Sequence, residues 1–500
     1  MSPSASPQTS PHLVSSTANE LDRWAKLAVE APRYTSYPTA LEMTTTFGAA
    51  DALAALRDAD ARPDAPLSLY AHLPFCKAMC WFCGCHAMLA RSDERIERYL
   101  NAIARELKCV ATHLPRRRGL GEVHFGGGSP SLLTPKQFET LWAAITASFN
   151  VRDDAEVSIE VDPRTVDPER MASYRRAGVH RISMGFQDLD ADVQAAIGRN
   201  QSAAESWRAY EWARAAGFAG INVDLCYGLP QQTEISFEHT VRQVAQLRPD
   251  RLALFGYAHV PQLKPLQRRI DVAALPDVSR RIRLFTLGRD ILLAAGYRAI
   301  GIDHFALPGD PLLRALDEGK LHRNFQGYTT SSADTMVGVG LSAISDFGGA
   351  LAQNHRTLPG YLEAIDAEGG TSGLATERGF VRSPDDQMRG DIIRQIMCTF
   401  GLDVAKVETT YGVTFDREFA TEIADLAKLE TEGLLSWERG DDAGTPDHDR
   451  GRGRNRIVLS AAGKLLARNV AMVFDAYRRK RMTKDVAPTG DGPRRLSSSI

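Results

Sequence analysis

The sequence predicts an α/β protein in which a parallel sheet of six β-α units follows an N-terminal arm and precedes a mainly helical C-terminal domain. From Ser68 onward, short apolar segments alternate with amphipathic ones, which is typical of successive right-handed β-α units. The apolar segments are nearly continuous, which indicates strands that are buried on both faces. Beyond about residue 360, apolar residues recur at spacings of three and four, which predicts helices.

Turn and helix signals separate the six predicted strands. The strands are Leu67 to Leu73, Glu122 to Phe125, Glu156 to Val161, Arg181 to Phe186, Gly220 to Tyr227 and Arg251 to Tyr257. The run Thr134-Pro135-Lys136-Gln137 combines a helix cap, a proline at the first helical position and a glutamine that can close a capping box. Asp167-Pro168 begins the next helix in a similar way.

A chain of 500 residues is long enough for two or three domains. We divide it into a disordered tail (1–20), an arm (21–66), the sheet and its extension (67–355), a mainly helical domain (356–482) and a second disordered tail (483–500). Within the helical domain, residues 440–456 are polar, glycine-rich and charged, which predicts a disordered insertion. In the arm, the stretch Pro32 to Thr39 either packs on the surface or closes over a site.

Charge and hydropathy exclude several classes of function. With 60 basic and 62 acidic residues, the chain has no overall field that would attract nucleic acid. The basic run Arg478 to Arg481 lacks the interleaved aromatic residues of a nucleic-acid surface. The sequence shows neither a secretory leader nor an apolar run of about 18 residues, which predicts a cytoplasmic protein without a membrane span.

Four of the seven cysteines fall within ten residues, at Cys76, Cys80, Cys83 and Cys85. Three thiolates at C-x3-C-x2-C spacing can hold three irons of an iron-sulfur cluster from one loop, and the fourth iron then lacks a protein ligand. The alternative is a structural zinc site, but it needs a second close pair of ligands, and the sequence offers none. Cys85 is a spare ligand, a proton donor or a packing residue.

Glycines and polar residues follow the predicted strands. The run Gly126 to Pro130, which includes Gly127, Gly128 and Ser129, comes directly after the second strand, where a ligand can approach the backbone closely. Glu160, Gln187 and Asp224 lie at or near the ends of the next three strands, which predicts a cationic or hydroxylated ligand. Arg199 and the pair His322-Arg323 can supply positive charge to carboxylates.

These motifs occur in order and make the sequence resemble the radical S-adenosylmethionine (SAM) enzymes and, within them, the oxygen-independent coproporphyrinogen III oxidases. The resemblance runs from about Arg33 to Tyr477. Its most specific stretches are Arg33 to Thr39, Tyr70 to Cys76, Cys83-Gly84-Cys85, Ile159 to Pro163 and His322 to Thr330.

The resemblance implies a partial, six-stranded radical SAM barrel with one 4Fe-4S cluster on Cys76, Cys80 and Cys83. It also implies two SAM molecules. The first would contact Tyr70, Gly127, Gly128, Ser129, Glu160, Gln187, Arg199 and Asp224. The second would contact Phe82, Ala258 and Ile344.

The activity that the resemblance implies is the anaerobic conversion of two propionates of coproporphyrinogen III to vinyl groups. His72, Cys85 and the pair His322-Arg323 are candidates for moving a proton. The implied partners are coproporphyrinogen III and a low-potential electron donor, and the implied state is a monomer.

Two other functions compete with this one. A related haem-binding chaperone shares the cysteine motif, but it usually carries an acidic and an aromatic residue where this chain has Gly84-Cys85, and a His-Asn pair where this chain has Arg323-Asn324. An electron-carrying iron-sulfur protein without SAM would need a fourth ligand, for which Cys85 is the nearby candidate.

Overall fold

The computed structural model describes residues 18–62, 65–331, 333–367, 373–438 and 456–484. The predicted disordered tails and insertion therefore lie almost wholly outside the described residues. At their edges the prediction is wrong, because a helix begins at Ala18, a strand begins at Arg456 and the last described helix ends at Lys484.

The strands and helices are numbered here in chain order. The strands are β1 Leu67–Leu73, β2 Phe75–Cys76, β3 Met88–Leu89, β4 Gly119–Gly127, β5 Asn150–Val161, β6 Arg181–Gln187, β7 Gly220–Tyr227, β8 Arg251–Gly256, β9 Arg298–Ile300, β10 His304–Ala306, β11 His322–Asn324, β12 Gly327–Thr329, β13 Thr335–Val339, β14 Ile344–Asp346, β15 Ala350–Asn354, β16 Thr376–Val381, β17 Gly401–Asp403, β18 Leu435–Glu438 and β19 Arg456–Leu459. The α-helices are α1 Ala18–Leu27, α2 Ala49–Asp60, α3 Asp93–Thr112, α4 Pro135–Ser148, α5 Pro168–Arg176, α6 Ala191–Ala196, α7 Ala203–Ala215, α8 Glu234–Leu247, α9 Val278–Ala294, α10 Pro311–Asp317, α11 Leu358–Asp366, α12 Pro384–Thr399, α13 Val404–Tyr411, α14 Phe415–Glu418, α15 Ala420–Thr431, α16 Ala461–Leu465, α17 Ala467–Ala471 and α18 Ala476–Lys484.

The six predicted strands lie side by side in one sheet. Their order is β1-β4-β5-β6-β7-β8, and every neighbouring pair is parallel. The prediction of six successive β-α units is therefore confirmed. The sheet is larger than predicted, because β13 adds a parallel strand beside β1 and β14 to β16 continue from it in antiparallel pairing. On the other side, β10 and β9 extend the sheet beyond β8.

β1 shows why the central strands form, because its residues are buried on both faces. In β1 all residues except Tyr70 are buried. The apolar side chains of the strands pack together with those of the helices in the large hydrophobic core. The capping box predicted at Thr134 is present: its hydroxyl accepts from the Gln137 amide at 3.3 Å, and the Gln137 side chain accepts from the Thr134 amide at 3.0 Å. Asp167 caps α5 by accepting from the Arg170 amide at 2.8 Å.

The N-terminal arm packs into the C-terminal domain. Tyr34 and Tyr37 are buried in a second core that α12 and later elements form. The Tyr34 hydroxyl donates to Asp475 Oδ2 at 3.0 Å, and the Tyr37 hydroxyl accepts from the Ala476 amide at 3.0 Å. The arm thus ties the beginning of the described chain to its end.

The C-terminal domain begins later than predicted. β16, which lies past residue 356, pairs with β15 and belongs to the large sheet. The second core takes its residues from Met388 onward, apart from those of the arm. We therefore place the domain boundary near residue 383. Within the residues that the structure describes, none of the helices combines the length and apolar character needed to cross a bilayer.

Candidate active site

A cavity of about 610 Å³ lies at the carboxyl ends of the parallel strands. This edge of a parallel sheet is where ligands ordinarily bind. Twelve of the predicted site residues line it: Cys76, Cys80, Phe82, Cys83, Cys85, Gly127, Gly128, Glu160, Gln187, Arg199, Asp224 and Ala258. The structure thus brings together the cysteine loop, the glycine run and the polar residues of successive strands.

Four predicted site residues do not line this cavity: Tyr70, His72, Ser129 and Ile344. Tyr70 lies beside Gly126, where an added methyl group would meet the side chains of both Tyr70 and Glu160. Ser129 follows Gly128, and its buried hydroxyl makes no hydrogen bond within the described part of the chain. Such an orphaned hydroxyl fits a site in which a ligand supplies the partner.

The cysteine loop carries positive charge around its sulfur atoms. Arg199 Nη1 lies 3.4 Å and Arg164 Nη2 lies 3.6 Å from the Sγ atom of Cys80, which is buried. The Cys83 sulfur accepts from the Cys85 amide at 3.4 Å. Guanidinium groups and amides favour the thiolate form that binds iron. The donor set therefore fits an iron-sulfur cluster.

The Cys85 thiol lies beside Cys83. A hydrogen bond between the two side chains raises the pKa of Cys85 and lowers that of Cys83, so the proton stays on Cys85. Among the described residues, no three His, Cys, Asp or Glu side chains stand close enough to bind a single metal ion.

Glu160 presents a carboxylate to the cavity. Its Oε2 atom accepts from the Gly127 amide at 3.0 Å, and its Oε1 atom lies 3.5 Å from His124 Nε2. Burial alone would raise the pKa of Glu160, but His124 and the Gly127 amide bring it below its usual value. Glu160 is therefore ionised and can accept hydrogen bonds from an amino or hydroxyl group.

Asp224 is the second carboxylate of the cavity. Its Oδ2 atom accepts from the Ser183 hydroxyl at 2.9 Å, and its Oδ1 atom accepts from Asn222 Nδ2 at 2.7 Å. Burial raises the pKa of Asp224 to about 6. At neutral pH the carboxylate is charged at an energetic cost, which a cationic or hydroxylated ligand would offset.

We expect Asp224→Asn to stabilise the ligand-free protein at pH 7. An aspartate with a folded pKa of about 6 binds a proton more tightly folded than unfolded, so its contribution to stability falls as pH rises from about 4 through 6. The gain in apparent Tm should be about 1–2 °C at pH 7 and should shrink at pH 5. Differential scanning fluorimetry tests this, with Asp153→Asn, at an exposed position of β5, as the control. A destabilised variant at both pH values would contradict the burial argument.

The guanidinium group of Arg199 is positioned mainly by hydrogen bonds to other residues of the chain. It donates to Gln201 Oε1 at 3.0 Å and to the Gly185 carbonyl oxygen at 2.7 Å, and it lies 3.5 Å from Asp162. Gln187, at the end of β6, adopts a positive φ of 68° and lines the cavity. Arg199 lines the same cavity and also contacts the cysteine loop through Cys80.

The prediction that His72 moves a proton is not supported by its geometry. Its Nε2–H donates to the His86 carbonyl oxygen at 2.9 Å, which leaves Nδ1 to accept from the Tyr70 hydroxyl at 3.0 Å. Burial lowers the pKa of His72 to about 4, so the ring is neutral. With both nitrogens bonded away from the cavity, His72 positions Tyr70 and the cysteine loop. His322 and Arg323 lie elsewhere, on β11.

The glycine run brings β4 close to β1. The Gly128 amide donates to the Leu73 carbonyl oxygen at 2.8 Å, and a methyl group on Gly128 would lie 2.5 Å from the Pro74 carbonyl oxygen. Gly127 has a φ of 115°, and a methyl group there would overlap the His72 ring. The glycines therefore allow the segment before Cys76 to pack on the end of β4, in addition to exposing backbone to the cavity.

We expect Gly128→Ala to lower the free energy of unfolding by about 1–3 kcal/mol, because the Pro74 carbonyl cannot move without displacing the cysteine loop. The same variant should take up less iron. Chemical denaturation and iron analysis measure both effects. Gly349→Ala is the control, since a methyl group there meets nothing within 4 Å. Equal stability of the two variants would contradict the close packing.

Several residues of the site were not predicted. Arg164 follows the predicted stretch ending at Pro163, and Lys264 donates to the Cys85 carbonyl oxygen at 3.1 Å. Arg33 lines the cavity and donates to the Gly256 carbonyl oxygen at 3.0 Å, so this part of the arm closes over the site. The aromatic and proline-containing stretch Pro32 to Thr39, which includes Arg33, was a sequence signal that the arm could close over a site. No feature of the sequence indicated that Lys264 belongs to the site.

Comparison with known proteins identifies both parts of the chain. The radical SAM superfamily matches residues 70–244, and the HemN C-terminal domain matches residues 383–440. The oxygen-independent coproporphyrinogen III oxidase of Synechocystis sp. is 39% identical over 450 residues, which are 89% of this chain and 92% of that protein. The protein of the same name from Escherichia coli K12 is 40% identical over 457 residues, or 91% of this chain and 95% of its own.

A solved structure shows the same architecture over nearly the whole chain. Coproporphyrinogen III oxidase from Escherichia coli, described as a radical SAM enzyme, matches with a TM-score of 0.81 and 39% identity. The match covers 89% of this chain and 97% of that one. The partial barrel and the helical C-terminal region predicted from the sequence are thereby confirmed. Similarity of this extent shows that the chain belongs to the oxygen-independent coproporphyrinogen III oxidase family of radical SAM enzymes.

Proposed function

We propose that this enzyme converts coproporphyrinogen III to protoporphyrinogen IX without oxygen, by oxidative decarboxylation of two propionates to vinyl groups. One observation carries the proposal. A loop with three cysteines opens into the same cavity as the carboxylates of Glu160 and Asp224, in a chain about 40% identical to proteins named for this activity. The conversion of coproporphyrinogen III to protoporphyrinogen IX is a step of haem biosynthesis.

Membership of the radical SAM family implies that the chain binds a 4Fe-4S cluster and SAM. We assign the cluster to Cys76, Cys80 and Cys83. The SAM contacts that line the cavity are Gly127, Gly128, Glu160, Gln187, Arg199 and Asp224. A bound cluster and SAM would supply radical chemistry able to remove a hydrogen atom from the β-carbon of a propionate. The substrate would then lose carbon dioxide and pass one electron to an external acceptor, which leaves a vinyl group.

The residues of the chain prepare this reaction in three ways. Arg164 and Arg199 direct guanidinium N–H groups at the Cys80 sulfur. Glu160, fixed by the Gly127 amide, is poised to accept from the amino group or ribose of SAM. The position of the cavity between the barrel and the Arg33 arm limits the access of water and oxygen. Of the candidates for moving a proton, which are His72, Cys85 and the pair His322-Arg323, Cys85 lines this cavity and keeps its proton.

A second SAM molecule belongs to the proposal. Phe82 and Ala258 line one wall, where Gln267 Nε2 donates to both of their carbonyl oxygens at 3.1 Å. Ile344 lies on β14, outside the lining of this cavity. Equilibrium dialysis of the reconstituted enzyme should find two SAM molecules bound per chain at saturation. Binding of one SAM molecule per chain at saturation would contradict the proposed second SAM site.

The competing functions make different predictions. The haem-chaperone alternative is not favoured by the oxidase relatives. An electron carrier would use Cys85 as its fourth ligand, so Cys85→Ser would lose the cluster. We expect this variant to keep its iron and bind SAM. We further propose that the enzyme is a cytoplasmic monomer reduced by a low-potential electron donor.

The activity is tested with anaerobic protein, reconstituted cluster, a reductant, SAM and coproporphyrinogen III. We expect 5'-deoxyadenosine and a porphyrinogen that has lost two carboxyl groups to appear together. Absence of either product would overturn the proposal. Tight binding and transfer of haem by the same preparation would favour the chaperone.

A further inference from the structure

A second, smaller cavity adjoins the site and is lined by four arginines. It encloses about 50 Å³ and shares Arg33 and the segment Phe255 to Tyr257 with the large cavity. The other three arginines are Arg281, Arg323 and Arg468. The four arginines come from the arm, α9, β11 and α17, so four separate parts of the chain meet around one small cavity.

Arg323 is a buried cation with unused hydrogen-bond donors. Its side chain is 6% exposed, and its Nε and Nη1 atoms make no hydrogen bond among the described residues. The nearest carboxylate oxygen, Asp303 Oδ1, lies 3.8 Å from Nη1, and the guanidinium carbon stands 4.7 Å from the centre of the Tyr328 ring. A guanidinium buried in this way costs free energy until an acceptor reaches it.

Arg281 and Arg468 are the other two arginines that join Arg33 and Arg323 around the small cavity. The buried Nε atom of Arg281 makes no hydrogen bond to any described residue, and burial lowers the pKa of this side chain. Arg468 is 9% exposed and donates to the Ala31 carbonyl oxygen at 3.3 Å. Burial lowers the pKa of Arg468 to about 10, and the nearby charge of Arg33 is the second cause of this shift. The arginines therefore repel one another in a space that favours an anion.

The charges around the pocket do not balance. Among the described residues that line it, Asp303 is the one carboxylate beside the guanidinium groups of Arg33, Arg281 and Arg323. The hydroxyl-bearing side chains Tyr227 and Tyr257 are neutral at pH 7. Burial alone would raise the pKa of Asp303, but His304 and Arg323 lower it to about 2. Asp303 is also engaged by His304 Nδ1 at 2.7 Å. The arginines of the pocket therefore carry more positive charge than Asp303 neutralises, and a bound anion can neutralise the excess.

We propose that this arginine pocket binds the carboxylate of a propionate side chain of the tetrapyrrole substrate and so fixes the ring beside the large cavity. The inference rests on the proposed function. Arginines bind carboxylates through paired N–H donors, and a pocket of about 50 Å³ suits a carboxylate at the end of a short chain. No cysteine lines the pocket, so the propionate held there is not the one that reacts.

The test compares Arg281→Gln and Arg323→Gln with Arg280→Gln, a neighbouring exposed arginine at the start of α9. We expect the first two variants to raise KM for coproporphyrinogen III by about tenfold or more, because each loses a buried charge-assisted contact. The affinity for SAM should not change, and Arg281→Lys should recover part of the loss. An unchanged KM, or an equal loss of SAM affinity, would overturn the inference.

A binding measurement makes the test independent of turnover and of variants that fail to fold. Coproporphyrin III, the stable oxidised tetrapyrrole with four propionates, is compared with its tetramethyl ester by fluorescence titration of the wild-type enzyme. We expect clear preference for the acid, which Arg281→Gln removes. Equal binding of acid and ester by the wild type would overturn the pocket assignment. If coproporphyrin III is preferred to its ester but coproporphyrinogen III is never decarboxylated, the proposed function fails while the pocket stands.

Discussion

Cys80→Ser should lose the iron-sulfur cluster and, with it, all turnover. The Cys80 sulfur is buried and accepts hydrogen bonds from the guanidinium groups of Arg164 and Arg199. A serine hydroxyl fits the same space and can accept from both arginines, but it is not a soft ligand for iron. The fold should therefore survive while the cluster does not.

Iron and sulfide analysis after anaerobic reconstitution measures this loss, together with SAM cleavage. Cys109→Ser is the matched control, because Cys109 lies on α3 away from the cavity. We expect the control to retain a full cluster and wild-type turnover. A Cys80→Ser protein that binds four irons and cleaves SAM would contradict the ligand assignment.

Glu160→Gln should weaken SAM binding by about 10- to 100-fold, the usual effect of losing a hydrogen bond to a charged group. The substitution preserves the shape of the side chain but removes the charge that the Gly127 amide and His124 stabilise. The cluster should remain, because Glu160 is not one of the assigned ligands. Binding and catalysis are thus separated from cluster assembly.

Equilibrium dialysis with labelled SAM measures this affinity. Glu139→Gln, which removes a surface ion pair with Arg176 on α5, serves as the control and should bind SAM like the wild type. If Glu160→Gln binds SAM normally, the carboxylate has another role in the cavity.

The sequence predicted the six central strands because each is a continuous apolar run followed by a recognisable helix. It did not reveal that the sheet continues through β13 to β16. The segment Gly338 to Ser345 contains the end of β13, a turn with Gly340 at a φ of 95°, and the start of β14. Strands of three to five residues carry too few positions for periodicity to identify them.

The candidate site was predictable where its residues share a short motif, as in the cysteine loop. Residues that meet only through the tertiary fold were not predictable. Tyr34 bonds to Asp475, 441 positions later, so nothing local marked the arm as part of the C-terminal core. The four arginines of the small pocket are spread from residue 33 to residue 468, and each alone looked like a surface residue.

The central claim is that this cavity places SAM against the propionate of a tetrapyrrole. Coproporphyrinogen III deuterated at the propionate β-carbons tests it most directly. We predict that one deuterium appears in 5'-deoxyadenosine for each vinyl group formed. Decarboxylated product accompanied by 5'-deoxyadenosine without deuterium would contradict the claim.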